Sequence, residues 1–360
     1  MIGKGGSSRV YRVMNGANEI YAIKRVSLDK SDKETMEGYI NEMQFLKRLE
    51  GNTRIIRLID SEIKPANNAG KGTLFLVMEC GEIDLARLLV EQQKKPMDIV
   101  WIAYYWKQML EAVHVIHEEK IIHSDLKPAN FVLVKGQLKL IDFGIARAIA
   151  NDTTNIQRDH QIGTVNYMSP EAIEVQDGNT RIKVGRASDV WSLGCILYQM
   201  VYGRPPFHHI TKVFNKMRAI PDPTHIIDFP EHSVTEVTVL RPPKDKDDPP
   251  IEEIEEVHTR VPSSVIRVLQ SCLSRNHKER MTIPQLLQEE WLAMVAPEPE
   301  IREIPRQLQP DEAIINMFHM MQLLEHTLKL GRKKPKWSEQ ELRDHAMFLI
   351  EQLRGVTSPP

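Results

Sequence analysis

A chain of 360 residues can bury a sizeable core and suggests two or three domains, or one two-lobed domain with a tail. Its 47 basic and 49 acidic residues nearly cancel, to a formal charge of −2, which argues against a dedicated nucleic-acid binder. Three widely spaced cysteines (Cys80, Cys195, Cys272) form no C-x-x-C, the opening MIGKGGSSRV has no signal-peptide apolar region, and no apolar run can span a bilayer. A reducing, nuclear or cytosolic setting is expected, with neither membrane nor nucleic acid as partner.

Residues 8–28 alternate and are rich in β-branched and aromatic side chains, with Asn15-Gly16 between the two runs, so they read as a hairpin. Met36, Ile40, Met43 and Leu46 recur at helical steps and predict a helix over 33–49. Ile55–Ile59 and Leu74–Met78 read as strands joined by the polar stretch 65–72. After Gly81 the pattern turns helical, with a long segment over Ile99–Ile116. Ile121-Ile122 reads as a short strand, and Phe131–Val134 and Leu138–Ile141 as two more around Lys135-Gly136. From Asp189 to Tyr202 the residues are apolar almost all round, the pattern of a helix at the centre of a domain. Further helices are expected at Ser263–Leu273 and Ile283–Trp291. Residues 231–260, with RPPKDKDDPPIEEIEE, are rich in proline and charge and read as a disordered surface insertion. After Ala296 two amphipathic helices are expected, one capped by Asp311 and one by the box Ser338-x-x-Glu341, with basic GRKKPKW (331–337) between them.

Several short motifs carry chemistry. Gly3-Lys4-Gly5-Gly6-Ser7-Ser8 would let backbone N–H groups approach phosphate oxygens without a Cβ in the way, although a glycine-rich hairpin with no ligand reads equally well. It is not a Walker loop, because no Gly-Lys-Ser/Thr closes it. Lys24 lies on the paired strand and Glu42 beside the apolar stripe of the next helix; each alone reads as solvated, and together they read as an ion pair presenting an ammonium to phosphates. In HSDLKPANF (123–131), Asp125 can orient a hydroxyl or accept its proton, Lys127 can neutralise phosphate charge, and Asn130 offers an oxygen to Mg²⁺. Asp142-Phe143-Gly144 follows a strand and supplies a metal-holding carboxylate.

This ordered set resembles the protein kinase family. The resemblance spans residues 1 to about 293 and implies an α+β, two-lobed protein kinase fold. A β-rich N-lobe with one main helix is expected over 1–80, most of its first strand missing before Gly3. A larger, mainly helical C-lobe is expected over 81–295, then a helical extension over 296–360. It implies ATP and Mg²⁺ as cofactors: Lys24 on the phosphates and paired with Glu42, Asp125 as base with Lys127 beside it, Asn130 and Asp142 on the metal. Gly3, Gly5 and Gly6 would cover the phosphates, Ile2, Val10 and Ala22 would roof the adenine, Val132 would floor it, and Met78, Glu79 and Gly81 would form gatekeeper and hinge. Ser169-Pro170-Glu171, Asp189 and Arg280 match the segment that pairs Glu171 with Arg280 and braces the catalytic loop through Asp189; it favours a protein substrate over a small molecule.

A narrower resemblance, carried by HSDLKPANF, KLIDFGIA, QIGTVNYMSPEAI, VMECGEIDL and GKGGSSRVY, is to the monopolar spindle (TTK) kinases. It implies dual specificity, kinetochore and spindle-checkpoint proteins as partners, self-association for autophosphorylation, and location in nucleus and cytoplasm, at the kinetochore or spindle. Ser124 belongs to this resemblance; most kinases carry an arginine there that grips an activation-segment phosphate, a bidentate pair serine cannot form. Thr153, Thr154 and Thr164 are candidate phosphosites, with Arg147 and Arg158 as candidate anchors. The alternative reading is a pseudokinase scaffold that keeps the fold and binds partners without turnover; none of Lys24, Asp125, Asn130 and Asp142 is lost, as that reading would prefer.

Overall fold

The computed structural model of the chain describes residues 1–4, 8–29, 33–64, 71–142, 164–174, 184–241 and 251–294. All lie in the first of two compact units, Met1–Ala296. The expected tail helices and the basic stretch between them fall outside the described residues.

The smaller lobe is one antiparallel sheet in the order β1-β2-β3-β5-β4, built from Gly3–Lys4, Ser8–Met14, Ile20–Asp29, Lys71–Glu79 and Leu58–Lys64 for β1, β2, β3, β5 and β4. The β2–β3 turn is longer than the two-residue form that Asn15-Gly16 suggests: Asn18 takes the positive φ of 62°, and Asn15 Oδ1 accepts the Ala17 and Glu19 amides at 2.9 Å. Helix α1, Lys33–Arg48, packs on β3 and β4. The strand expected over Ile55–Ile59 is displaced, since β4 starts at Leu58. Residues 54–56 pair instead with the other lobe, Leu140 N donating to Arg54 O at 2.9 Å and Ile56 N to Leu140 O at 3.0 Å. Buried Arg54 adds bonds to Glu111 (2.8 Å) and Gln108 (3.1 Å). This stretch is apolar because it bridges the lobes.

The larger lobe begins with β6, Ile83–Asp84, and α2, Leu85–Gln92, capped by Asp84 on the Arg87 amide. Helix α3, Ile99–Glu118, is capped by Asp98, which accepts from Val100 and Trp101. Strands β7, Phe131–Val134, and β8, Gln137–Leu140, complete a three-stranded sheet with β6. Ile121-Ile122 is not a strand: Lys120 turns the chain at φ 61° and Ile121 N donates to Ile116 O, so the segment is the exit from α3. Helix α4 is Pro170–Glu174, and α5, Arg186–Tyr202, runs through the core and stops at Gly203, φ 79°. Residues 213–219 (α6), 263–272 (α7) and 283–287 (α8) follow, then a 3₁₀ turn over Glu290–Met294. Helix α6 is too short for periodicity to reveal, while the helix expected over Ile283–Trp291 is divided between α8 and the 3₁₀ turn.

The expected disordered insertion over 231–260 is corrected. His232–Arg241 (β9) and Ile251–Arg260 (β10) pair antiparallel over ten positions. The prolines concentrate in 242–250, outside the described residues, while HSVTEVTVLR is rich in β-branched residues with period-two alternation. Val237, Val239 and Val257 are half-buried on one face; Glu236, Thr238 and Glu256 are exposed on the other.

Candidate active site

Strand register places the residues expected to face the nucleotide side by side. Gly3 lies opposite Val10, Val10 opposite Lys24, Lys24 opposite Leu76, and Ala22 opposite Met78. Directly opposed residues share a face, so Val10, Ala22, Lys24 and Met78 look out of the same side of the sheet. Ile2 is exposed, its amide donating to Val10 O at 2.8 Å. Gly5 and Gly6 lie outside the described residues. The Glu79 side chain turns away from this face to Lys139 (2.6 Å) and the Arg57 amide (2.7 Å), leaving only its backbone for a ligand. At Gly81 a Cβ would strike the Val132 side chain and come 2.9 Å from Leu133 O, so the chain crosses the floor residue at backbone distance.

Lys24, Glu42 and Asp142 come from β3, α1 and the end of β8, and they meet. Lys24 is only 7% exposed; its Nζ lies 2.8 Å from Glu42 Oε1 and 2.5 Å from Asp142 Oδ1. Burial opposes the ammonium, but Asp142 and Glu42 outweigh it and hold the Lys24 pKa above the ordinary lysine value. Burial pushes Glu42 up to about 7, with Lys24 pulling against it. For Asp142 burial also opposes the charge, and the Lys24 ammonium overcomes it and lowers the carboxyl. The side chain of Asp142 is still 44% exposed, so the carboxylate remains accessible beside Lys24. A charge on the edge of the α1 stripe is usually solvated; here Glu42 is 3% exposed because Lys24 comes to it.

The loop 121–127 is held by Asp189, buried in α5. Its carboxylate accepts the amides of His123 and Ser124, both at 2.9 Å, and stands 2.8 Å from His117 Nε2. Ser124 sits at φ 64°, a left-handed conformation that costs a non-glycine residue roughly 1–2 kcal/mol and that these amide bonds offset. His123 bonds in two directions: Nδ1 accepts the Asp125 amide at 3.3 Å, so Nε2 carries the proton and donates to the Asp142 carbonyl. That tautomer is neutral, in agreement with burial lowering the His123 pKa. Asp189 thus positions Asp125, and His123 couples that loop to Asp142. The positioning role of His123 is not legible from its residue type; only its place two before Asp125 hints at it.

Asp125 accepts from Lys127 Nζ at 3.2 Å. Asn130 closes a 3₁₀ turn over Pro128–Asn130; its Oδ1 accepts the Lys127 amide at 3.0 Å and its carbonyl accepts Ile141 N at 2.9 Å, fixing it beside the strand that delivers Asp142. The donor set suits Mg²⁺. Asp142 and Asn130 offer hard oxygens, and Mg²⁺ is ordinarily held by one or two carboxylates with phosphates and water completing its shell. Among the described residues no cluster of three or more His, Cys, Asp or Glu would hold a metal independently of such a ligand.

Glu171 and Arg280 form a buried bidentate pair at 2.7 and 2.8 Å, and Arg280 also donates to Ser274 O and Ala187 O and stacks 5.1 Å over Trp191. Ser169 Oγ meets Ser188 Oγ at 2.7 Å. The pair fastens the start of α4 to the end of the lobe, so the 3₁₀ turn Thr164–Tyr167 before it has a fixed floor. Phe143, Gly144, Arg147, Thr153, Thr154 and Arg158 lie outside the described residues.

A β-rich lobe, a helical lobe, and a lysine–carboxylate cluster over a braced acidic loop define a protein kinase. The chain belongs to the protein kinase domain family, which matches residues 1–292. Within it, the similarity is to the Mps1 and TTK kinases, as the motifs indicate. Serine/threonine-protein kinase mph1 of Schizosaccharomyces pombe is 48% identical over 298 residues, 80% of this chain and 41% of the relative. Dual specificity protein kinase TTK of Mus musculus is 48% identical over 292 residues, 79% and 30% of the two chains. Serine/threonine-protein kinase MPS1 of Saccharomyces cerevisiae is 38% identical over 353 residues, 96% of this chain and 40% of the relative. The chain therefore spans less than half the length of these relatives.

Proposed function

We propose that the chain is an ATP- and Mg²⁺-dependent protein kinase that transfers the γ-phosphate to serine and threonine of protein substrates. The carrying observation is the convergence of Lys24, Glu42 and Asp142 above a loop that Asp189 and His123 hold in place. Lys24, kept charged by its two carboxylates, presents a cation to the nucleotide phosphates. Asp125 orients the acceptor hydroxyl and takes its proton, with Lys127 beside it to balance developing charge. Asp142 and Asn130 hold Mg²⁺, which when bound neutralises phosphate charge. The rest is positioning in a cleft that excludes water.

Dual specificity, substrates among kinetochore and checkpoint proteins, autophosphorylation at Thr153, Thr154 or Thr164, and residence in nucleus and cytoplasm and at the kinetochore follow from likeness to the Mps1 and TTK kinases and belong to the same proposal. The test is transfer of radiolabelled γ-phosphate to the chain itself and to a generic protein substrate. Asp125→Ala and Asp142→Ala are each expected to lose at least about 10²-fold in rate. Unchanged turnover in both variants would leave the scaffold reading in its place.

A further inference from the structure

Among the described residues the β9–β10 ribbon is a sheet of two strands, and its base ties it to the helical lobe: Ser233 Oγ donates to Val201 O at 2.6 Å, and Val261 N to Glu231 O at 2.8 Å closes the ladder. Among the described residues, β9 beyond Ser233 makes no hydrogen bond to the lobe. Ten residues of strand run about 33 Å, and a lone two-stranded ribbon is at best marginally stable in water without a third strand or a covering element.

The register says which groups are available. Because Glu231 and Val261 are a hydrogen-bonded pair, pairing alternates from there: residues 233, 235, 237 and 239 bond across to β10, and the amides and carbonyls of 234, 236 and 238 point outward from the β9 edge. The two edges differ in chemistry. Strand β10 carries Glu252, Glu253, Glu255 and Glu256, a concentration of like charge that repels a second copy of itself. Strand β9 carries a single acid, Glu236, between His232 and Arg241, with no proline or glycine, and Val234 and Thr238 are exposed on it. A β-branched edge with a single acid and no proline has few of the usual protections against pairing.

We propose that the β9 edge is a homodimer interface, in which two copies of the chain pair β9 antiparallel about a two-fold axis through Val237 and complete a four-stranded sheet. This register sets Glu236 opposite Thr238 of the second copy, so the two glutamates do not face each other. Val237 meets its own counterpart as a non-hydrogen-bonded pair. The contact is isologous and therefore closed, giving dimers and not filaments. It joins the molecules through the ribbon and uses no residue of the active site.

Sedimentation of the full chain up to on the order of 100 μM tests this, together with three variants. The parent is expected to shift from one chain to two as concentration rises. Thr238→Pro removes an outward N–H while sparing the ladder to β10, and is expected to weaken the dimer at least about tenfold. Ile254→Pro, the matching change on the β10 edge, is expected to leave it intact. Val237→Cys in a Cys80→Ser background is expected to give a disulfide-linked dimer under mild air oxidation, since opposed Cβ atoms in such a pair lie about 4.5–5.5 Å apart; Cys80→Ser alone, whose remaining Cys195 and Cys272 are buried, is the control. A parent that stays monomeric throughout overturns the proposal. So does a dimer broken by Ile254→Pro and not by Thr238→Pro, or one in which Val237→Cys fails to cross-link.

Discussion

At the scale of single residues, the site depends on charges that would be unstable alone. Lys24 and Glu42 are both buried; Glu42 is tolerable because Lys24 comes to it, and Lys24 because Glu42 and Asp142 both meet it. Glu42→Gln is expected to leave Lys24 drawn toward Asp142, raising KM for ATP more than it lowers kcat; steady-state kinetics over a range of ATP concentrations separates the two. Asp189→Asn places an amide N–H₂ among the three donors His117, His123 and Ser124. It is expected to lower kcat by about 10–10²-fold with KM for ATP nearly unchanged, because Asp125 loses its position while the nucleotide face does not. These residues differ in how readable they were. Lys24, Asp125, Asn130 and Asp142 are legible as candidates because phosphate transfer would call for their residue types in that order along the chain. His123 and Arg54 act through partners 19 and 57 residues away in sequence, and no local pattern announces such a pairing.

At the scale of elements, α5 is the post around which the larger lobe is built, and its packing leaves no slack. At Gly194 a Cβ would come 2.6 Å from Cys272 Cβ and 3.2 Å from Leu273 Cδ2. Gly194→Ala is therefore expected to destabilise the fold by about 1–3 kcal/mol through overpacking against α7, read as a lowered midpoint in denaturant melts. Arg280→Ala leaves Glu171 buried without its cation, and about 3–5 kcal/mol is the expected cost in the same measurement. The long helices α1, α3 and α5 are evident from periodicity, since each keeps its pattern over several turns. The strand expected over Ile55–Ile59 and the insertion at 231–260 were misread for one reason. Composition reports that a segment is apolar or charged, and not which segment it pairs with. Residues 54–56 pair across the lobes, and β9 pairs with β10 over a proline-rich connection.

At the scale of the whole molecule, the two lobes are joined along the 54–56 to 140 pairing, the Lys24–Asp142 contact and the hinge around Gly81. Gly81→Ala forces Val132 and the hinge backbone apart, and the expected outcome is a several-fold weaker ATP affinity in calorimetry with protein-substrate KM unaffected. Chelating divalent cations is expected to stop phosphate transfer without lowering the melting temperature of the nucleotide-free chain, because Lys24 and Asp142 hold the cleft without a metal. The sequence by itself determined which residue types are available for phosphate chemistry, their order along the chain, and that serine stands at 124. These follow from residue type and order, which survive without coordinates. Only the tertiary structure decided how the loop 121–127 is braced, where the apolar stretch before β4 is spent, and that residues flanking 242–250 form a two-stranded ribbon. Those are pairings between distant segments, and their free energy depends on proximity that a linear chain does not encode locally.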